Sequence, residues 1–201
     1  QKVKISAETL YTDQKEILEN VREIVLKGNH YEIGSLENKL VNMNHIESAE
    51  IFFNVDGLVS LSYHEFEPIV RVFSSENKSF YLDSNCKRIP LSKKHTADVI
   101  LFTGYTENIK DYLMLDLGKK IRSNKFLFHQ VSEIYINESK EAFYIPTVGN
   151  HKIKIGSFKN IDLKINKLLT FYNKIIPMQG WKKYSQINLE FKNQIICLKN
   201  D

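Results

Sequence analysis

IESAEIFFNVDGLVSLSYHEFEP, residues 46–68, holds two apolar alternations around an Asp-Gly pair, and its register decides how the first part of the chain folds. Asp56-Gly57 invites a two-residue hairpin loop. That register would set Ile51 and Phe53 opposite Ser62 and Ser60. A three-residue loop over 55–57, with Gly57 left-handed, instead pairs Phe53 with Val59 and Ile51 with Leu61. It gathers Ala49, Ile51, Phe53, Val59, Leu61 and Tyr63 on one face. A slip of one residue turns every side chain over, so the hydrophobic pattern favours the longer loop. Pro68 ends this hairpin.

Upstream, residues 2–8 (KVKISAE) alternate and read as a short strand. Asp13 and Glu16 have the spacing of a capping box, so Asp13 opens a helix with Ile17, Val21, Ile24 and Val25 inward and Gly28 as its stop. A second helix starts near Ser35 with Leu36, Leu40 and Val41 inward. The order is β-α-α-β-β, with both helices free to cover one face of a three-stranded sheet. That is the order of a POTRA-type module, a kind of domain that binds other polypeptides.

Downstream, 69–92 reads as three short strands and 97–104 as another, stopped by Gly104. Residues 106–124 carry a helical stripe of Ile109, Leu113, Leu117 and Ile121, which Gly118 weakens by about 1 kcal/mol relative to Ala. Three strands follow over 130–157, then a helix from about Asp162 to Ile176 that Pro177 ends. The terminal INLEFKNQIICLKND (187–201) closes the chain with Ile187, Leu189 and Phe191 on one face. The fold class is α+β: a first domain over 1–70, then a β-rich domain over 71–201 with flanking helices.

A chain of 201 residues that is 42% hydrophobic can fill one or two domains. The net charge of +4 is too small and too evenly spread to argue for nucleic acid. No apolar run approaches the roughly 18 residues a membrane helix needs, and no signal-peptide pattern is present. Because the first residue is Gln1, the chain reads as a trimmed or processed segment, from which a targeting or anchoring element could have been lost upstream. Cys86 and Cys197 form no CxxC and have no His pair at metal spacing; they read as independent thiols, with a disulfide left open for an oxidising compartment.

None of the usual catalytic arrangements appears. The six histidines are not in HExxH or another ligand spacing, and GxSxG, GxGxxG and GxxxxGK[ST] are absent. His151 lies in a Gly-Asn turn and Asp83 in an Asx-type turn, both structural readings. Asp111 and Asp116 fall on a solvated helix face. No cofactor, no metal and no enzyme activity are expected. Trp181 and Tyr184 read as caps on the core beside the preceding helix, with a contact patch as the alternative.

The β-α-α-β-β unit leads into PIVRVF, then SFYLDSNCKRIPLS and VILFTG, and later IPTVGNHKIKIG and GWKKYSQINLEFKNQIIC. In this order and spacing the chain resembles the FtsQ/DivIB family of cell-division proteins, in its Bacteroidetes form, from about residue 3 to the end. The family's turn after FYLD usually carries Gly where this chain has Cys86. A Cβ there costs about 1 kcal/mol in the left-handed region, which argues against that geometry here. The resemblance implies a single-pass inner-membrane protein whose periplasmic part is a POTRA domain and a β domain. It implies a non-enzymatic divisome scaffold that binds FtsB (DivIC) and FtsL and helps control septal peptidoglycan synthesis. The partner would add a strand to the last strand of the β domain. The stretch carrying that contact matches Ile187, Asn188, Leu189, Glu190 and Phe191, with Lys192, Asn193, Gln194, Ile195 and Ile196 following. Lys192 and Lys199 would favour an acidic partner segment. The alternative is a POTRA-type module of a secretion or outer-membrane assembly system.

Overall fold

A computed structural model describes residues 3–6, 9–26, 33–54, 58–74 and 78–200. The chain divides into two compact units, 1–67 with 89–97, and 68–88 with 98–201. The first unit gives way to the second between Glu67 and Pro68, and the segment 89–97 returns to the first.

The first unit runs β1 (Val3–Ser6), α1 (Gln14–Leu26), α2 (Ile33–Val41), β2 (Ile46–Phe53) and β3 (Val59–Glu65). Its sheet order is β1-β3-β2, with β1 parallel and β2 antiparallel to β3. The register is the one the apolar pattern selects: Phe53 faces Val59, Ile51 faces Leu61 and Ala49 faces Tyr63. Loop residues 55–57, Gly57 among them, lie outside the described residues, as do Gly28 and the side chains of Ile24 and Val25. Asp13 caps α1 by accepting the Lys15 amide at 2.9 Å. Ile17, Val21, Leu36 and Leu40 pack on Ile46, Ile51, Val59, Leu61 and Tyr63. Glu65 then ties down the chain before α1: its carboxylate accepts the amides of Leu10 and Thr12, each at 2.8 Å, and of Tyr11 at 3.0 Å, together with the Thr12 hydroxyl. Burial alone would raise the Glu65 pKa, yet these donors hold it below the usual value. Residues 89–97 are fastened to this unit: the Ser92 hydroxyl donates to the Tyr11 carbonyl at 2.8 Å, and His45 Nε2 meets the Pro90 carbonyl at 2.9 Å.

The second unit is built on a nine-stranded mixed sheet in the order β12-β11-β10-β9-β8-β7-β4-β5-β6. The strands are β4 (Val70–Val72), β5 (Phe80–Leu82), β6 (Arg88–Pro90), β7 (Ile100–Gly104), β8 (Val131–Ile136), β9 (Ala142–Pro146), β10 (Lys152–Gly156), β11 (Tyr184–Asn188) and β12 (Ile196–Lys199). Ile89 and Pro90 of β6 fall in the segment grouped with the first unit. The helices are α3 (Asp111–Arg122), α4 (Lys125–Gln130), α5 (Ile161–Lys174) and the single turn α6 (Ile176–Gln179). The β7-β8 and β10-β11 pairs are parallel, and the helices supply the crossovers such pairs require. One core joins Val70, Phe102, Leu117, Ile134, Tyr144, Leu168 and Ile187.

Several expectations change. The helix expected over 106–124 is a 3-10 turn, Thr106–Asn108, then α3, because Ile109 and Lys110 are extended. Gln130 closes α4 instead of opening a strand. Pro177 does not simply end α5: it occupies the first turn of α6, where a missing N–H costs nothing. Gly118 has a packing reason, since a Cβ there would stand 2.1 Å from Val70 Cγ1. Cys86 keeps the left-handed geometry that its side chain argued against, at φ 65°. Asp83 supports it, because its Oδ1 accepts the amides of Asn85 and Lys87, both at 2.8 Å, and its carbonyl accepts the Cys86 amide at 3.2 Å. The cysteines are free thiols.

Candidate functional site: the terminal hairpin

The closing stretch is two strands and a turn. β11 lies between β10, parallel, and β12, antiparallel, so both of its sides are paired. Ile187 faces Ile153 on one side and Cys197 on the other. β12 is the outermost strand of the sheet. Among the described residues no strand pairs with the outer side of Ile196–Lys199, whereas Ile187, where the sequence placed the start of the edge, is paired on both sides.

The ten residues singled out from the sequence divide accordingly. Ile187 and Leu189 are 0% and 1% exposed and belong to the core. Asn188 pairs across to Ile196 and accepts the Glu190 amide at 2.9 Å. Glu190 turns back to Lys154, at 2.9 Å, and lies over the face of Gly156 that a Cβ would fill. Phe191 sits in the turn, 45% exposed, with Lys192, Asn193 and Gln194 also exposed. Ile195 is half-buried, and Ile196 opens the edge strand. The alternation of β12 sends Cys197 toward the core, where burial raises its thiol pKa, while Ile196 and Leu198 stay exposed.

A helix lysine fixes the turn. Lys167 of α5 donates from Nζ to the carbonyls of Leu189, at 2.5 Å, and Phe191, at 2.6 Å. Burial lowers its pKa. One turn earlier Lys164 is buried and donates to the Ser157 carbonyl at 2.6 Å. Neither lysine was singled out from the sequence. For Lys164 alone a signal was available, since Ile161, Lys164, Ile165 and Leu168 share one helical stripe and position 164 interrupts it with a cation. Between α5 and the hairpin runs a groove of about 510 Å3, lined in part by Leu163, Thr170, Phe171, Tyr184, Ile195 and Cys197.

Other candidates resolve into structure. His151 is buried with Nε2 3.2 Å from the Tyr172 hydroxyl, and its ring stacks beside Trp181. Burial lowers its pKa, opposed by the Trp181 backbone. Its Nδ1 has no partner of good hydrogen-bond geometry. Trp181 and Tyr184 pack against the core, Trp181 on Tyr172 and Tyr184 edge-on to Phe171. Asp111 takes a two-point contact from Arg88, at 2.5 and 2.8 Å, and so is engaged on the surface. Among the described residues no group of three or more His, Cys, Asp or Glu is placed to hold a metal ion, and no helix is long and apolar enough to cross a membrane.

The geometry is that of an α+β protein whose mixed sheet ends in an open strand, steadied by a helix behind it. The pattern of the family described as FtsQ/DivIB, C-terminal related, matches residues 67–198, so the chain belongs to that family. It is an FtsQ/DivIB-type cell-division protein. No curated protein matches it.

Proposed function

We propose that the chain is the periplasmic part of a single-pass inner-membrane scaffold of the divisome, without enzymatic activity. The first unit, broadly 1–70, is a POTRA-type module by its β-α-α-β-β order and β1-β3-β2 sheet. The second, broadly 71–201, receives a strand from an FtsB/DivIC-type partner, acts with an FtsL-type protein, and helps control septal peptidoglycan synthesis. The observation that carries this reading is the open side of β12. Main-chain bonds to that edge supply affinity, and the alternating Ile196 and Leu198 supply selectivity. Phe191, in the turn that precedes β12, is an exposed aromatic that serves as an anchor. Lys192 and Lys199, both exposed, favour an acidic segment and discourage self-pairing.

The test is binding to the periplasmic part of an FtsB/DivIC-type protein, with and without an FtsL-type protein. Wild type is compared with Phe191→Ala and with Leu198→Pro, each checked for fold by circular dichroism. Loss of binding in both supports the edge. Binding equal to wild type in both moves the interface elsewhere, and no binding by wild type removes the partner assignment.

A further inference from the structure

His151 immediately precedes β10 and is only 2% exposed. Its ring stands between α5 and the segment that leads into β11. Nε2 lies 3.2 Å from the Tyr172 hydroxyl, and the Trp181 ring stacks on it at 6.4 Å between centroids. Gly149 backs the ring, since a Cβ there would stand 2.7 Å from Nδ1 and Cε1. Nδ1 faces the Trp181 carbonyl without a bond of good geometry. This arrangement assigns the proton of the neutral ring to Nδ1, so Nε2 accepts from the Tyr172 hydroxyl. The groups that face His151 are neutral. From α5 comes Tyr172, whose own pKa burial raises; behind it α4 supplies Gln130, which donates to the Val148 carbonyl at 3.0 Å; the segment before β11 supplies the ring and carbonyl of Trp181. The nearby chain positions Lys152, Lys182 and Lys183 are exposed, and as cations they could not balance an imidazolium. Residues 182 and 183 also carry the far end of the terminal hairpin. The Lys182 carbonyl accepts the Asn200 side-chain amide at 2.6 Å, and the Lys183 carbonyl accepts the Asn200 main-chain amide at 3.0 Å.

We propose that His151 is an acid-sensitive latch on the terminal hairpin: neutral, it holds Trp181 against α5; protonated, it leaves its pocket and frees the end of β12 at Lys199. The proton comes from water and goes to Nε2, which turns from an acceptor of the Tyr172 hydroxyl into a donor facing it. The ring is then a buried cation with no carboxylate to pair it, and the favourable exit is outward to water. Trp181 loses the ring it stacks on, and the main chain of 182–183 that anchors Asn200 loosens with it. Burial lowers the His151 pKa. The latched state is therefore complete above the ordinary histidine value of about 6.5 and is lost as pH falls from there through the lowered value. The effect on a partner strand rests on the reading of β12 above; the latch itself does not.

Trp181 is the one tryptophan of the chain, so its fluorescence reports the latch without interference. The experiment follows that emission and the His151 Cε1–H NMR signal of the full chain from about pH 8 to about pH 5. The expected result is that both change together, with a midpoint below about 6.5, and that the emission moves to the red as the indole meets water. Over the same range the amides of Lys199 and Asn200, corrected for intrinsic exchange, should lose protection several-fold, while Ile134 and Tyr144 keep theirs. His151→Phe should abolish the emission step; His151→Gln, which also cannot titrate, makes the same test if the first variant does not fold. A flat emission, a step that survives in the folded variant, or a His151 signal that titrates at or above about 6.5 would each overturn the proposal. These readings are of the free chain, so a failure of partner binding would remove the β12 reading without touching them.

Discussion

Replacing Lys167 with Met keeps the length and the apolar contacts of the stem but removes the ammonium that bridges Leu189 and Phe191. The Leu189 bond is partly buried, and the Phe191 bond is exposed. Hydrogen bonds from a charged donor contribute about 1.5–3 kcal/mol when shielded, whereas water replaces an exposed one at little cost. The net loss is thus about 1–2 kcal/mol, and it falls on the turn that sets where β12 begins. That corresponds to roughly a 5- to 30-fold change in a local opening equilibrium. Amide exchange reads this directly. The Lys167→Met protein should lose that factor of protection at the Ile187–Cys197 and Asn188–Ile196 pairs. The Ile134–Tyr144 pair, deeper in the sheet, should keep its protection. Unchanged exchange over 196–199, or an equal loss at both places, would refute the clamp.

Gly118→Ala should lower the thermal midpoint, because its Cβ would press on Val70 Cγ1 and push α3 off the sheet at a cost of about 1–3 kcal/mol; Gly118→Ala with Val70→Ala, measured by differential scanning calorimetry, should show a positive coupling. Glu65 titrates below its usual value in the folded chain, so its contribution is complete above the ordinary carboxylate pKa and is lost as pH falls through the depressed one. The amide signals of Leu10–Thr12, followed by NMR during acid titration, should shift together in that window, and Glu65→Gln should abolish the step.

The first unit was legible because a single alternating pattern constrained it. Phe53 and Val59 each needed an apolar neighbour, and one register satisfied both. The end of the chain offered no such constraint. β12 has 4 residues and a mixed character, so Ile187–Phe191 looked like the last strand when Ile187 is held between two others. The break at Ile109–Lys110 carries no proline or glycine to announce it. Cys86 shows the opposite failure: local propensity argued against a left-handed residue, and three hydrogen bonds to Asp83 outweighed it. Lys167 was hidden because its role is to bind main-chain carbonyls, which have no sequence signature.

Residues 89–97 have a consequence for heredity. The chain passes between the units at 67/68, 88/89 and 97/98, so neither unit is one uninterrupted stretch of sequence. Recombination at a single point cannot transplant the second unit cleanly, because the stretch from 68 onward carries with it a piece that the first unit claims. The family's match over 67–198 includes that piece. Changes in Ser92, which donates to the Tyr11 carbonyl, therefore bear on a neighbour some 80 residues away in the same unit.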